Sequence, residues 1–202
     1  MNIPVTLIAI VIAYLLGSLP TAVWAGKIFH GIDVREHGSG NIGFANVLRT
    51  AGPLWGVLAL FLDAGKAFIA AFFLSRLYDQ QMLFRLLFGL TVIAGNVLNP
   101  FFGFKGGKGV GTGLGVAAAM SPFALLVALL SFGGTLALSR YVSLSSLVAS
   151  TVFICADALR YRYGRGNMYS LFFASALFAV VVVRHISNIK RLLKGEENKI
   201  GK

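Results

Sequence analysis

The chain has 202 residues, of which 57% are hydrophobic and only 12% charged, and its mean hydropathy is +0.80. A soluble domain cannot hide that much apolar surface, so the composition excludes an ordinary water-soluble protein and points to a polytopic membrane protein. The formal net charge of +11 reads as a topology signal rather than a nucleic-acid footprint, because most Lys and Arg lie between apolar runs or in the tail.

In chain order, apolar spans are predicted at about 3–26, 53–75, 82–98, 122–138, 144–160 and 168–184. The first has no small-residue cleavage signal after it and is read as a retained helix rather than a signal peptide. The segment 109–120 ("GVGTGLGVAAAM") is too short to cross alone, and Pro122 is expected to end it. It is either a half-span or a short seventh helix packed among the others, where small residues permit close approach. The expected fold is all-α and integral to the membrane, a polytopic bundle of about seven transmembrane helices forming one domain over 1–202. The lone Cys155 lies in an apolar run, which excludes a disulfide framework and suggests simple packing.

Lys and Arg then set the sidedness. With seven spans and the N-terminus outside, twelve cations fall in 27–52, 99–108, 139–143 and 184–202, and five (Arg76, Arg85, Arg160, Arg162 and Arg165) fall on the other side. The richer side is expected to be cytoplasmic.

Three polar segments share that side: "HGSGNIGFANVLRTAG" (37–52), "NPFFGFKGGKGVGTG" (99–113) and "RHISNIKRLLKGEENK" (184–199). Their chemistry suits phosphate. Glycines such as Gly106, Gly107 and Gly109 let backbone N–H groups approach an anion. Lys105 and Lys108 supply point charges, and Arg49 a bidentate fork. A helix beginning after the loop would aim its positive end at the same place. The loop is neither a Walker A loop nor a dinucleotide-binding turn, since Phe102, Gly109 and Val116 stand where those patterns need other residues. A flexible turn touching lipid headgroups is the plainer alternative.

The single residues each carry two readings. Ser39, Asn41 and Asn46 are turn-formers or pocket-formers, and Arg49 is a phosphate ligand or a topology anchor. Ser39 has no evident His–Asp partner, so a hydrogen-bond donor is preferred over a covalent nucleophile. His185 is a candidate base or a satisfied interfacial histidine. His30 and His37 lack metal-ligand spacing with Cys or carboxylates, and no structural metal is expected. Asp63 and Lys66, three apart within a span, are read as a structural charge pair, and Asp157 and Arg160 are read the same way. Ser143, Ser145 and Ser146 in "RYVSLSSL" are helix starters, or one of them donates to an anion.

At these segments the chain resembles the PlsY family of integral-membrane acyltransferases. "GSGNIGFANVLRTAG" resembles the family's first motif, "GFKGGKGVGTGLG" its glycine-rich second, "RYVSLSSL" a serine-bearing helix start and "RHISNIKRLLKGEE" its third motif, in order and over almost the whole chain. The resemblance implies transfer of an acyl chain from acyl phosphate to the 1-hydroxyl of glycerol 3-phosphate, giving lysophosphatidic acid and inorganic phosphate without a cofactor. It implies that Ser39, Arg49, Lys108, Ser146, His185 and Asn188 surround the polar substrates, with Asn41, Asn46 and the loop glycines shaping the pocket. The partners implied are glycerol 3-phosphate, acyl phosphate and membrane lipid, no nucleic acid, in a bacterial cell membrane with the site facing the cytoplasm; the oligomeric state, a monomer among the options, is left open by the sequence. The chain departs from the pattern at Asn96, where the family usually has His, and at Phe44 and Ala67. A transporter of a phosphorylated anion, or a non-catalytic lipid-binding relative, is the competing reading.

Overall fold

The computed structural model describes residues 3–200, apart from the His30 side chain, and every regular element among them is helical. The chain divides into two compact units, Met1–Ala119 and Met120–Lys202, and each is described by itself.

In the first unit α1 (Ile3–Ser18) buries Ala9, Ala13 and Gly17 at a spacing of four and turns its larger side chains outward. That small-residue face meets α5 (Gln81–Val97). A Cβ on Gly17 would lie 2.0 Å from the Val92 carbonyl oxygen, and one on Gly95 would lie 2.1 Å from that of Tyr14. Two backbones can approach this closely only where side chains are missing. The apolar run expected at about 3–26 is present as one candidate span, Ile3–Phe29, with a break in its helix at Leu19–Pro20. Pro20 brings no N–H, and the chain restarts as α2 (Thr21–His30), which closes on Gly31 in the left-handed conformation.

A short helix, α3 (Phe44–Thr50), lies inside the stretch that the sequence presents as a polar loop. Next comes α4 (Pro53–Phe68), with Pro at its first turn, running on through a π-helical stretch, Ile69–Phe73. The single turn Pro100–Phe102 follows α5 and leads to α6 (Val110–Met120). At 11 residues α6 is about 16 Å long, about half the hydrocarbon thickness. Its glycines explain its packing: a Cβ on Gly115 would sit 2.0 Å from the Ala64 carbonyl oxygen of α4, and one on Gly111 would meet the Asp63 side chain at 2.9 Å.

In the second unit α7 (Pro122–Ser139), α8 (Val142–Arg162) and α9 (Met168–Arg184) run up and down. Arg140 makes the first turn in the left-handed region, and Asn167 caps α9 by accepting from the Ser170 N–H at 2.8 Å. After His185 the chain bends by 57° into α10 (Ile186–Lys194). Five helices among the described residues are long and apolar enough to cross a membrane, six if the bent pair is one span, and α6 is a shorter apolar helix. About seven apolar helices therefore describes the chain, with α6 as the short member.

The charge pairs divide. Lys66 Nζ lies 2.7 Å from Asp63 Oδ1, both side chains being buried. The pair closes on the α1–α2 break: Lys66 donates to the Leu19 carbonyl at 2.6 Å and Thr21 Oγ donates to Asp63. Buried charges in a membrane require such partners. Asp157 and Arg160, expected to pair likewise, do not. Asp157 accepts from Ser121 Oγ, while Arg160 donates to the Arg165 carbonyl at 2.9 Å and lies over the Phe123 ring. Cys155, expected to pack, is exposed.

Candidate active site

In the first unit the loops 31–43 and 98–109 lie at one end, where α2 finishes, α4 begins and α5 finishes. The Arg35 guanidinium sits 5.1 Å from the centre of the Phe102 ring and joins them. Asn46, 1% exposed, organises the first loop. Its amide nitrogen donates to the Val34 and His37 carbonyls, and its oxygen accepts from the Ser39 N–H at 2.9 Å and the Ser39 hydroxyl at 3.2 Å. All the polar capacity of one side chain is spent on bending "HGSGN". Gly38 has to be glycine there: its φ is +62°, and a Cβ would lie 2.5 Å from Asn46 Oδ1. Ser39 is exposed, and the partner found for its hydroxyl is an amide oxygen rather than a base. Asn41 accepts from the Gly43 N–H at 3.0 Å and so sets the entry to α3. Arg49, half-buried, lies in the last turn of α3.

At the edge of the loop, Asp33 holds Arg35 and Lys27. The hydrogen bond from Arg35 holds the Asp33 carboxyl well below the usual carboxylate range, against the upward push of burial.

The glycine loop is fastened to the end of α5. Gly106 N–H donates to the Val97 carbonyl at 3.0 Å and Gly107 N–H to that of Asn96 at 3.1 Å. A Cβ on Gly106 would fall 1.9 Å from the Asn96 carbonyl oxygen. These two glycines are therefore needed for close backbone approach, with their amides turned to α5. Asn99, 1% exposed, reaches back to the Ser18 carbonyl at 2.7 Å. Lys105 is exposed and Lys108 half-buried, a difference between two lysines that residue chemistry alone left open and only the family resemblance distinguished. Gly109 takes φ +76° immediately before α6, so the helix does start after the loop.

In the second unit His185 is 2% exposed. Its Nδ1 lies 2.8 Å from the Val181 carbonyl oxygen. A carbonyl can only accept, so Nδ1 carries the proton and Nε2 is the basic nitrogen. Ser146 is buried and its hydroxyl donates to the Val142 carbonyl at 2.9 Å within its own helix. Asn188, 1% exposed, donates to Glu197 Oε1 at 2.7 Å.

Glu197 is the residue that the sequence reading passed over. Ser143 Oγ donates to its Oε1 at 3.0 Å, and Arg191 Nε lies 2.8 Å from its Oε2. Burial pushes the carboxyl pKa up, but the donors Asn188, Arg191 and Ser143 together outweigh it and hold the value below the ordinary one. The Ile200 N–H donates to the Arg140 carbonyl at 3.0 Å, so the tail lies along the α7–α8 turn. Two adjacent carboxylates, Glu196 and Glu197, directly after a glycine in a basic tail were the available signal.

These helices and motif loops define an integral-membrane protein with a polar, cationic set of side chains. The family model for glycerol-3-phosphate acyltransferase matches residues 7–195. The chain belongs to that family. It is 38% identical over 210 residues to a glycerol-3-phosphate acyltransferase of Salinibacter ruber, covering 96% of this chain and 91% of that one. It is 37% identical over 198 residues to one from Streptococcus pneumoniae serotype 19F, covering 96% and 92%. Two crystal structures of PlsY (YgiH), an integral membrane glycerol 3-phosphate acyltransferase, are 38% identical and cover 96% of this chain and 95% of theirs. Their TM-scores are 0.84 for the glycerol 3-phosphate form and 0.83 for the lysophosphatidic acid form.

Proposed function

We propose that this chain transfers an acyl chain from an acyl phosphate to the 1-hydroxyl of sn-glycerol 3-phosphate, releasing lysophosphatidic acid and inorganic phosphate. The observation that carries the reading is its 38% identity, over 96% of its length, to a protein crystallised in a glycerol 3-phosphate form and a lysophosphatidic acid form. The whole chain acts as one acyltransferase domain, multi-pass in a bacterial membrane, with the motif loops on the cytoplasmic side and no cofactor.

Both substrates carry phosphate, so Arg49 and Lys108 take the phosphate oxygens, Arg49 through a fork and Lys108 as a point charge. Ser39 and Ser146 donate to substrate by turning their one O–H away from the Asn46 amide oxygen and the Val142 carbonyl. Asn188 and the loop glycines give shape, and exposed Lys105 draws in anions. Attack by the glycerol hydroxyl oxygen on the acyl carbonyl carbon forms the new ester bond. The carbonyl–phosphate bond breaks, and phosphate leaves with its electron pair. The hydroxyl proton passes to Nε2 of His185 or to the phosphate itself. Charge grows on the carbonyl oxygen in between, where prearranged donors lower the barrier, and holding the two substrates together contributes the rest.

The test is phosphate release and lysophosphatidic acid formation by the purified protein in lipidic phase, given palmitoyl phosphate and glycerol 3-phosphate. Product that depends on both substrates is expected. Arg49→Ala and Lys108→Ala should each lower kcat/KM by about 100-fold or more. Folded protein that makes no product overturns the reading, and anion flux into sealed vesicles would then replace it with transport.

A further inference from the structure

At the end of the first unit opposite the motif loops, where α4 finishes and α5 begins, two guanidinium groups share one aromatic ring. Arg76 Cζ lies 4.4 Å and Arg85 Cζ 4.6 Å from the centre of the Phe72 ring. The two charges are therefore no more than about 9 Å apart, within repulsive reach of each other at a membrane boundary. Among the described residues neither forms an ion pair with a carboxylate, although exposed Asp79 lies on the same turn. Arg85 Nη1 donates to the Ala119 carbonyl at 3.0 Å near the end of α6 and to Met82 Sδ at 3.7 Å, and Arg85 Nε is buried with no hydrogen-bond partner. These two contacts thus account for Nη1 alone among Arg85's donor atoms and for nothing about Arg76.

The surroundings are apolar in one direction. Ile69, Phe73 and Leu77, four residues apart, are 50%, 52% and 66% exposed and form a stripe leading to the guanidinium pair. Cation–π contact with Phe72 helps to hold each guanidinium in such a place but leaves the paired positive charge without an anion. A group with several anionic oxygens satisfies both forks at once.

We infer that Arg76 and Arg85 form a phosphate-binding site on the face opposite the motif loops, occupied by the phosphodiester of an anionic membrane lipid whose acyl chain lies along Ile69, Phe73 and Leu77. The phosphate chemistry follows from two neighbouring guanidinium groups that no carboxylate among the described residues neutralises, and the lipid source from the exposed apolar stripe. The site takes no part in the acyl transfer proposed above and stands independently of it.

The experiment is native mass spectrometry of the full chain released from detergent micelles, titrated with phosphatidylglycerol. The variants are Arg76→Gln/Arg85→Gln and, as a control of equal charge change, Arg162→Gln/Arg165→Gln in the second unit. The first pair is expected to weaken the tightest lipid-binding step by about tenfold or more, the control by less than about twofold. Arg76→Lys/Arg85→Lys, which keeps the charge and loses the fork, should fall between. If the double Gln variant does not fold, Arg76→Gln alone carries the test, since Arg76 is exposed. Equal losses in the two pairs, or none in either, overturn the site. Displacement of the lipid by submillimolar inorganic phosphate overturns the lipid assignment and makes free phosphate the ligand.

Discussion

The loop around Ser39 is organised by a neutral amide, whereas the tail after His185 is organised by a carboxylate. Asn46 gathers the Val34 and His37 carbonyls and the Ser39 backbone and hydroxyl. Glu197 gathers Ser143, Asn188 and Arg191. Both hubs are buried and both spend their polar atoms on positioning. The difference lies in charge. An amide shapes a loop without adding a field, which suits a segment that carries Arg49 beside a candidate phosphate. The tail carries a surplus of cations, and one ionised carboxylate both compensates and orders them. The first hub should therefore ignore pH, and the second should feel it.

The largest expected effect comes from Glu197→Ala. The carboxylate side chain is 0% exposed and its Arg191 partner 36%. Removing it leaves two buried donors and a cation without their acceptor, a loss of about 3–5 kcal/mol for a fully buried pair and nearer about 3 once the exposure of Arg191 is allowed for. Thermal unfolding in lipidic phase or detergent should show it. A shift no larger than that of a surface Glu would break the comparison. Glu197→Gln keeps the shape and sharpens the pH argument. Because the folded pKa is depressed, the stabilisation is present above the ordinary value of about 4.3 and is lost as pH falls toward the folded value. Wild type should thus lose stability on acidification through and below that point, with a flatter profile in Glu197→Gln.

Asn46→Ala should cost somewhat less, about 2–3 kcal/mol, because it strands neutral groups rather than a charge. The Asn46→Ala and wild-type proteins should have stability–pH curves of the same shape. A difference that opens on acidification would mean that the loop, too, rests on a titrating group, Asp33 being the one within reach.

The same contrast explains what was legible in the sequence. The span 168–184 appears in the structure with those bounds as α9, because a run of apolar residues flanked by polar ones is a strong signal. The run at about 3–26 hid a break, since hydropathy averages over Leu19–Pro20 while a single missing N–H ends a helix. The stretch 44–50 read as loop because a two-turn helix has no room for periodicity. Asp63 and Lys66 were legible as the only charges in their span. Asp157 and Arg160 have the same spacing and fail to pair, because Ser121, 36 residues away, takes the carboxylate. Spacing names a possible neighbour, and tertiary packing chooses the partner. Glu197 was missed for a similar reason: a search for phosphate ligands weighs cations, whereas the residue that orders them is an anion.

The smallest expected effect separates backbone anchoring from side-chain anchoring within the glycine loop. Asn96 stands where the family usually carries His, and its side chain is 7% exposed. The loop nevertheless hangs on main-chain atoms: Gly107 and Gly106 donate to the Asn96 and Val97 carbonyls, which any residue at 96 supplies. The Asn96 amide oxygen is the atom that a Cβ on Gly107 would meet, at 2.8 Å, so an imidazole must fit into space already filled. Overpacking of this kind costs about 1–3 kcal/mol when nothing moves, but the loop side can yield where it carries no Cβ. Asn96→His is therefore expected to lower stability by about 1 kcal/mol and to leave the KM for glycerol 3-phosphate within about threefold, a change of about 0.7 kcal/mol or less. A gain of tenfold or more in kcat/KM would show that the imidazole itself acts on substrate, and that backbone anchoring alone does not account for the loop.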